Sequence, residues 1–348
     1  MASDTKTRPR TRPSIRDVAR KAGVSPGCVS NVMNGRRRQD DLIGRAVLEA
    51  VDALGYRRNT IASNLRRTES RIVGLVIPEF ENPFFAGLVA QLERVAKTTN
   101  YRIVATSSGD DAETEAREID ELVGWRVAGL LLVPALGSRA EILAQGIDTP
   151  FVLIDRLLPG SGIDSVGVDN AAACQTGMGS LIAAGHRKIL VAYLGEGIAN
   201  VDERLAGVRL AAEQAGPEIC VDYLATGSRV PDARAAMDAY LSTHEKPDAI
   251  FCLFNVATLA AYGALQERGA HPGHDTALLS FDDSAWMAQM HPPVAAISQP
   301  VAEIASRAWA QLIARVEGAD CSAGAMIRVP CQLAPRGTME ADRHRPTT

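Results

Sequence analysis

Hydrophobic positions follow two different periods along the chain, and the change falls near residue 71. Before it, apolar residues recur at helical spacing over short stretches, which is typical of amphipathic helices. After it, apolar runs of strand length alternate with helical stretches, which predicts parallel strands joined by helices. These runs cover residues 72–77, 101–106, 129–133, 151–155, 188–194, 249–254 and 277–281. The pattern therefore predicts a small all-α segment followed by an α/β body.

The all-α segment carries start signals for three short helices. Ser14 followed by Asp17 is a capping box for the first helix. Ser25 can cap a second helix, and Asp40 or Asp41 can cap a third. Two short helices joined by a tight turn, with a third that closes the core, make a helix-turn-helix unit. The second helix of such a unit enters the major groove of DNA.

The α/β body contains two similar sets of strands and helices, at about residues 71–168 and 169–298, which predicts two lobes. The tail from Pro300 adds a predicted helix at 302–316 and a last strand at 327–333. Ligands of parallel α/β sheets lie at the carboxyl ends of the strands. Between two lobes they occupy a cleft that can close by hinge motion. We therefore expect a ligand cleft between the lobes.

Charge is distributed unevenly between these regions, although the net charge of the chain is only −4. Residues 1–71 hold sixteen Lys and Arg against seven Asp and Glu, so this segment carries +9 and the remainder carries −13. A basic module joined to an acidic body suggests that one end meets a polyanion such as DNA. The alternative is a solvated basic tail. The overall composition is that of a globular protein and excludes a disordered or fibrous one.

Ordered sequence phrases run along almost the whole chain, over about residues 14–335. In the all-α segment they are Ile15-Arg16-Asp17-Val18-Ala19, Ala22-Gly23-Val24-Ser25, Val29-Ser30, Val32-Met33-Asn34-Gly35 and Leu54-Gly55-Tyr56-Arg57-Arg58-Asn59. In the body they include Asn82-Pro83-Phe84-Phe85, Leu153-Ile154-Asp155-Arg156, Gly185-His186-Arg187-Lys188-Ile189, Glu203-Arg204-Leu205-Ala206-Gly207 and Phe281-Asp282-Asp283. Together they resemble the lactose repressor (LacI/GalR) family of bacterial transcriptional regulators.

The resemblance implies an N-terminal all-α helix-turn-helix headpiece and an α/β, periplasmic-binding-protein-like effector body of two lobes with parallel sheets. It also implies a homodimer whose affinity for an inverted repeat in double-stranded DNA is controlled by a small-molecule effector, sugar or sugar-derived. Repression is the commoner role in the family, whereas the choice between inducer and corepressor stays open. The expected segments are a flexible basic arm at 1–13, the headpiece at 14–58, a hinge helix and linker at 59–70, the body at 71–335 and a polar tail at 336–348. Within the body, the expected lobes are about 71–168 plus 300–326 and about 169–299 plus 327–335.

The headpiece and the hinge carry the DNA contacts that the resemblance implies. They are Arg16, Ser25, Pro26, Gly27, Cys28, Ser30, Asn31, Asn34, Tyr56, Asn59, Ile61, Ala62 and Leu65. Leu65 stands where the family's leucine wedges into the central base step of the operator, a contact that bends DNA. Alternatively, Leu65 is a linker residue that packs on the next domain.

The second helix departs from the common family pattern at its first two positions. Pro26 and Gly27 offer no side-chain hydrogen bond to a base, although they leave room for a thymine methyl group. Asn31 stands where arginine is frequent, so it can recognise adenine but cannot contact guanine as arginine does. Cys28 replaces a frequent threonine as a small polar residue or, alternatively, as a redox sensor. We therefore expect half-sites that differ from the family norm.

The body carries the effector contacts that the resemblance implies. They are Phe84, Phe85, Arg156, Arg204, Arg229, Asn255, Asp282 and Gln299. One of the two phenylalanines is expected to belong to the core alone. Arg229 stands where the family has an aromatic residue, and with Arg156 and Arg204 it would make the cleft cationic. This predicts an anionic effector, such as a sugar acid or a phosphorylated sugar.

Two other protein classes fit parts of the sequence. The first is a dehydrogenase. The stretch at 195–200 matches part of a dinucleotide-binding fingerprint, and Asp222 lies at about the right distance to contact a ribose, but the third glycine of the fingerprint is absent. A periplasmic sugar-binding protein would explain the body alone, but the headpiece and the lack of an apolar N-terminal signal argue against it. Six scattered cysteines without a CxxC pair fit a reducing cytoplasm. We therefore expect a cytoplasmic protein without enzyme activity, cofactor, metal site or membrane partner.

Overall fold

The structure, a computed structural model, describes residues 13–33, 35–56, 70–158, 160–319 and 324–339, and of residues 141–143 only the backbone. The chain divides into two compact units between Ser70 and Arg71. None of the described helices is long and apolar enough to span a lipid bilayer.

The first unit is a bundle of three short helices, as the sequence predicts. They are α1 (Ile15–Ala22), α2 (Pro26–Met33) and α3 (Leu42–Leu54). Each helix contributes two buried residues to one small core, which consists of Val18, Ala19, Val29, Val32, Val47 and Ala50. The tight turn between α1 and α2 makes the helix-turn-helix arrangement, so this prediction is confirmed.

Local signals in the sequence account for the starts of these helices. Ser14 and Asp17 form the predicted capping box, in which the backbone N–H of Ser14 donates to Asp17 Oδ2 at 2.9 Å. Of the two predicted caps for α3, Asp41 accepts a hydrogen bond of 2.6 Å from a backbone N–H of the first turn. Asp40 instead accepts hydrogen bonds from the side chain of Arg38.

The second unit contains two six-stranded sheets with the same strand arrangement. The first sheet consists of β1 (Ile72–Ile77), β2 (Arg102–Ser107), β3 (Gly129–Leu132), β4 (Phe151–Ile154), β5 (Asp164–Val168) and β11 (Met326–Val329), in the order β11-β5-β4-β3-β1-β2. The second consists of β6 (Lys188–Tyr193), β7 (Cys220–Ala225), β8 (Ala249–Cys252), β9 (Ala277–Phe281), β10 (Ala295–Ser298) and β12 (Gln332–Ala334), in the order β12-β10-β9-β8-β6-β7. Neighbouring strands pair in parallel, apart from the antiparallel pair β10–β12. The predicted fold of two lobes with parallel sheets is confirmed.

Helices cover both sheets, which explains why the strands are continuous apolar runs. They are α4 (Pro83–Thr98), α5 (Ala112–Gly124), α6 (Ala140–Gln145), α7 (Asn170–Ala183), α8 (Ala199–Ala215), α9 (Val230–Thr243), α10 (Asn255–Glu267) and α11 (Val301–Val316). A short 3-10 turn spans Met287–Gln289. Helix α11 packs on α4 and on the strands β3 to β5 of the first lobe.

The end of the body differs from the predicted single strand at 327–333, and that prediction is wrong. The chain forms β11 beside β5 in the first sheet, with Met326 opposite Ser165. It then crosses to the second sheet, where β12 pairs with β10 and Leu333 lies opposite Ile297. Pro330 lies at the crossing, where the missing N–H of proline costs no ladder hydrogen bond. Residues 327–329 therefore belong to the first lobe and not to the second.

Candidate functional site

The carboxyl ends of the strands of both lobes enclose a cavity of about 620 Å³, including the part open to solvent. Clefts at the carboxyl ends of parallel strands are typical small-molecule sites. It is lined by Glu79, Asn82, Phe84, Phe85, Asp110, Asp155, Arg156, Leu194, Asn200, Val201, Arg204, Ser228, Leu253, Phe254, Val256, Asp282 and Gln299. The cavity lies where the sequence predicts a ligand cleft.

Two aspartates occupy equivalent positions in the two lobes. Asp155 follows β4 and Asp282 follows β9, and these strands hold the same place in their sheets. Both residues have a positive φ, 66° and 75°, which costs a residue other than glycine about 1–3 kcal/mol. Both are buried and both line the cavity. The matching turns therefore bring one carboxyl from each lobe into the same cavity.

Arg204, on α8, is a buried cation of the cavity and is held from several sides. Its Nε donates to Asn170 Oδ1 at 2.9 Å, and its Nη1 donates to the carbonyl oxygen of Leu253 at 2.6 Å. The guanidinium carbon lies 3.7 Å from the centre of the Phe281 ring. These contacts fix the plane of the guanidinium, whose rigid set of donors suits neighbouring hydroxyls or a carboxylate.

Arg156 is the second guanidinium of the cavity, and it is already paired with a carboxylate. Its Nη1 and Nη2 donate to the two carboxylate oxygens of Asp110, with 3.2 Å between Nη2 and Oδ2. Nη1 also donates to the carbonyl oxygen of Pro134 at 2.9 Å. Asp110 in turn accepts the backbone N–H of Leu136 at 3.1 Å. The pair therefore neutralises Arg156 and fixes the loop that follows β3.

Three buried amide side chains bring unpaired oxygens to the cavity. Asn200 and Gln299 line it, and Asn255 lies between two residues that do. Within the described part of the chain, no group donates a hydrogen bond to Asn200 Oδ1, Asn255 Oδ1 or Gln299 Oε1. The amino group of Gln299 is used, because it donates to Asp282 Oδ1 at 2.6 Å. Hydroxyl groups of a ligand are donors of the kind that the oxygens of Asn200 and Gln299, the two lining residues among the three, leave unmatched.

Two hydrogen bonds join the lobes across the cleft. Asn200, on α8 of the second lobe, donates through Nδ2 to Asp155 Oδ2 at 3.0 Å. Asn255, the first residue of α10, donates through Nδ2 to Asn82 Oδ1 at 2.9 Å. Asn82 precedes α4 of the first lobe. An effector that enters the cavity therefore meets groups that already link the lobes.

Burial raises the pKa of three carboxyls in the cavity, those of Asp155, Asp282 and Glu79. It raises the pKa of Asp155 to about 6, although the positive charges of Arg204 and Arg156 oppose the shift. Burial also raises the pKa of Asp282, again against Arg204. The pKa of Glu79 is raised by burial and then by neighbouring carboxylates. These acids therefore gain from any ligand group that donates a hydrogen bond or carries positive charge.

Arg229 does not line the cavity, which corrects the predicted set of three arginines. Its side chain is exposed at the start of α9, and the preceding residue, Ser228, lines the cavity instead. The cavity lining holds four carboxyls and two guanidiniums. The prediction of a cationic cleft is therefore wrong.

The other predicted cleft residues lie in or beside the cavity. Phe84 and Phe85 both line it and pack edge to face with 5.3 Å between ring centres, so neither belongs to the core alone. Sequence reasoning missed the polar lining residues Glu79, Asn82, Asp110, Asp155, Asn200 and Ser228. Asp155 had a usable signal, since it ends a predicted strand. Asn200 had none, because only the packing of α8 brings it to the cavity.

The helix α2 exposes a face with few hydrogen-bonding side chains. Pro26, Gly27 and Asn31 are exposed, and Arg16 on α1 is exposed as well. A Cβ placed on Gly27 would have open space, with its nearest neighbour, an oxygen of Ser25, at 3.9 Å. Nothing in the described fold therefore requires a glycine at position 27.

The remaining predicted DNA contacts divide into described and undescribed residues. Ser25 Oγ accepts the backbone N–H of Cys28 at 3.2 Å, so Ser25 caps α2. Cys28 and Ser30 are half-buried, and Tyr56 packs against the headpiece core. Five predicted contacts and the predicted hinge helix lie outside the described residues: Asn34, Asn59, Ile61, Ala62 and Leu65.

Comparison with family models gives two matches that together cover most of the chain. Residues 14–59 match the model described as bacterial regulatory proteins of the lacI family. Residues 70–336 match the model of periplasmic binding proteins and the sugar-binding domain of the LacI family. The boundary between the two models falls within the undescribed stretch that separates the two units.

Proteins with sequences similar to that of this chain include a transcriptional regulator and an operon repressor. The chain is 32% identical to the HTH-type transcriptional regulator PtxS of Pseudomonas putida, over 97% of this chain and 99% of that protein. It is 27% identical to the ribose operon repressor of Haemophilus influenzae, over 87% of this chain and 92% of that protein.

Solved structures of similar fold include two repressor-like proteins. A lac repressor dimer bound to operator and the anti-inducer ONPF matches with a TM-score of 0.83 and 21% identity, over 95% of this chain and all of that one. A complex of the transcriptional regulator CelR with cellobiose matches with a TM-score of 0.69 and 27% identity, over 94% of this chain and all of that one.

Proposed function

The chain belongs to the LacI family of bacterial regulatory proteins, and from this premise we propose that it is a dimeric repressor controlled by a polyhydroxylated effector. It is a transcriptional regulator and not an enzyme. In the proposed mechanism, two headpieces of one dimer bind an inverted repeat in double-stranded DNA in the cytoplasm. The effector binds between the lobes and changes the affinity for that repeat.

The observation that carries the effector class is the excess of hydrogen-bond acceptors in the cavity. Asn200 and Gln299 line the cavity and donate to Asp155 and Asp282, while the oxygens of these two amides accept no hydrogen bond from the described residues. A buried acceptor without a partner costs about 1–3 kcal/mol. Hydroxyl groups of a sugar or polyol donate hydrogen bonds, so their binding removes that cost.

An uncharged effector is favoured over the anionic one that the sequence predicts. A carboxylate or phosphate on the ligand would face Asp155 and Asp282 at close range, which like charges disfavour. Both guanidiniums of the cavity already have partners, and Arg156 is neutralised by Asp110. Arg229, which would have added positive charge, lies outside the cavity.

Control of DNA binding follows from linkage between the two sites. If the effector prefers one arrangement of the lobes, it changes operator affinity, and operator DNA changes effector affinity by the same factor. Coupling of about 1–3 kcal/mol is typical of such proteins. The hydrogen bonds from Asn200 to Asp155 and from Asn255 to Asn82 cross the cleft, so an effector that replaces them alters the contact between the lobes.

A calorimetric titration tests the effector class. The full chain is titrated with D-ribose, D-glucose and D-galactose, and in parallel with the sugar acids D-gluconate and D-galacturonate. We expect heat from at least one neutral sugar, with affinity lost in Asn200→Ala and kept in the control Arg229→Ala, because Arg229 is exposed outside the cavity. Binding of the acids alone would overturn the uncharged effector.

A further inference from the structure

A chain of hydrogen bonds runs from Arg204 in the cavity to Arg328, which does not line it. Arg204 Nε donates to Asn170 Oδ1 at 2.9 Å, and Asn170 Nδ2 donates to Glu203 Oε2 at 3.0 Å. Arg328 donates twice to the same carboxylate, from Nη2 to Oε1 at 2.6 Å and from Nη1 to Oε2 at 3.0 Å. The proposed effector arginine is thus connected to an ion pair outside the cavity.

This chain of contacts spans both lobes. Asn170 is the first residue of α7, and Glu203 and Arg204 are adjacent on α8, the two helices that flank β6 of the second sheet. Arg328 lies on β11, which is hydrogen-bonded to β5 in the first sheet. The ion pair between Glu203 and Arg328 therefore depends on the distance between the two lobes.

The carboxylate of Glu203 and the guanidinium of Arg204 together fix which way the Asn170 amide points. A carboxylate only accepts hydrogen bonds, so the amino group of Asn170 faces it and the amide oxygen faces Arg204. Burial by itself raises the pKa of Glu203, but hydrogen bonds from Arg328 and Asn170 outweigh this effect and hold the pKa below its usual value. Glu203 is therefore charged at neutral pH, and the amide of Asn170 has one favoured orientation.

We propose that Glu203 and Arg328 are positioning residues for Arg204, and that they orient its guanidinium for effector binding in one arrangement of the lobes. The proposal rests on the proposed function, because it takes Arg204 as an effector contact. A lobe movement that separates Arg328 from Glu203 loosens the carboxylate that holds Asn170 and so weakens the orientation of Arg204. The effector then binds tightly in one arrangement and weakly in the other, and such a difference is what allows a ligand to shift a conformational equilibrium.

Three variants of the full chain separate this role from that of a simple clamp between the lobes. Glu203→Met removes the carboxylate, and Arg328→Met removes only its partner. The exchange Glu203→Arg with Arg328→Glu keeps an ion pair between α8 and β11 but removes the closer acceptor of the Asn170 amino group, so that only its longer contact of 3.5 Å with the carbonyl oxygen of Val168 remains. Glu303→Gln is the matched control, because Glu303 accepts hydrogen bonds from Arg307 on the same helix, at 2.7 Å from Nη2, with both side chains about half exposed.

Two readouts follow the orientation of Arg204. The first is the NMR signal of its side-chain Nε–H in the ligand-free protein, assigned with Arg204→Lys. The second is calorimetric titration with D-ribose, D-glucose and D-gluconate. We expect Glu203→Met and the exchange to move the Nε–H signal, speed its hydrogen exchange and weaken sugar binding about tenfold, as for residues in one hydrogen-bond network. Arg328→Met gives a smaller change in the same direction, and Glu303→Gln gives none.

The third measurement is the melting temperature of each variant, which reports its stability. We expect the exchange to recover most of the stability that Glu203→Met loses, without recovering the Arg204 signal or the sugar affinity. If the exchange recovers the stability, the Arg204 signal and the sugar affinity together, the ion pair acts only as a clamp between the lobes, and the proposal is overturned. An unchanged Nε–H signal in Glu203→Met would also overturn it. If none of the three sugars binds the natural sequence, the proposed effector class fails, while the ligand-free signal still decides the positioning role.

Discussion

The helix α2, which carries predicted DNA contacts, and the cleft between the lobes hold their predicted functional side chains in opposite ways. On α2, the side chains at the start of the helix are exposed, and the helix rests on a core of six buried residues. In the cleft, the functional groups are themselves buried, and each bonds to another polar group. An exposed polar group keeps its water until DNA arrives, whereas a buried charge needs a partner in the folded protein.

This difference affects how substitutions can change the specificity for operator DNA and the specificity for the effector. A substitution on the exposed face of α2 alters one contact and leaves the fold intact. A substitution in the cleft disturbs several groups, because Arg204 touches Asn170, Leu253 and Phe281 together. We therefore expect operator choice to change by single substitutions and effector choice to require coordinated ones.

The largest expected effect is that of Arg204→Met. The substitution removes the cation beside Asp155 and Asp282 and leaves acceptors on Asn170 and Leu253 without their donor. We expect the free energy of unfolding to fall by about 3–5 kcal/mol, as when one partner of a buried pair is removed, and sugar binding to be lost. Denaturant unfolding measures the first effect and calorimetry the second.

The matched control for Arg204→Met is Arg229→Met. Arg229 is exposed and outside the cavity. We therefore expect the unfolding free energy of Arg229→Met to stay within about 0.5 kcal/mol of that of the unsubstituted protein. If Arg204→Met and Arg229→Met lose the same free energy of unfolding, the proposed difference between buried and exposed functional groups is contradicted.

A smaller effect is expected from pH, through Asp155. Its pKa is raised from 3.8 to about 6 in the folded protein, so the folded state binds more protons than the unfolded one between these values. The contribution of this group to stability is therefore lost as pH rises through that window. A sugar hydroxyl that donates to the carboxylate favours the ionised form, so we expect affinity to fall about tenfold for each pH unit below the pKa.

Calorimetric titration of the neutral sugar across this pH window measures the effect of Asp155. Asp155→Asn is the control, because asparagine tolerates the left-handed backbone at this position but does not titrate. Its affinity is expected to be lower and to depend less on pH, with Asp282 and Glu79 as the remaining carboxyls of raised pKa. Equal pH dependence in the natural sequence and in Asp155→Asn would exclude this carboxyl as the source.

The smallest effect is expected from a pair of glycines in the headpiece. Gly27→Ala meets open space and raises helix propensity, so we expect a gain of about 0.5–1 kcal/mol. Gly27→Ala is also expected to change operator affinity, because its methyl group takes the room that Gly27 leaves for a thymine methyl group. Gly44→Ala is expected to destabilise the headpiece, because its Cβ would lie 2.5 Å from the carbonyl oxygen of Arg38. Thermal melting and operator titration distinguish the two, and a loss of stability in Gly27→Ala would contradict the open face of α2.

Much of the headpiece could be predicted from the sequence, because its helix ends depend on local contacts. Ser14 and Asp17 are three residues apart, and their mutual hydrogen bonds form within one turn. The choice of Asp41 over Asp40 as the cap of α3 was left open, since it depends on how Arg38 is placed. Predictions of this kind succeed where the deciding contact lies within a few residues.

The cleft was less predictable because its contacts join residues far apart in sequence. The bond from Asn200 to Asp155 exists only once both lobes are folded, and the pairing of Arg156 with Asp110 joins residues 46 positions apart in the first lobe. Whether Arg229 lines the cavity depends on the register of one turn, and in the structure the preceding residue, Ser228, lines the cavity instead. The split of the last strand into β11 and β12 likewise depends on which sheet edge each segment meets.

The central claim, that this chain is an effector-controlled repressor of specific DNA sequences, is tested most directly by capture of genomic fragments. The purified full chain is mixed with fragments of its own genome at near-physiological salt, with and without the neutral sugars, and the bound DNA is sequenced. We expect enrichment of one short inverted repeat, with binding that weakens steeply as salt rises and changes when the effective sugar is added. Recovery of no common repeat under either condition would contradict the account.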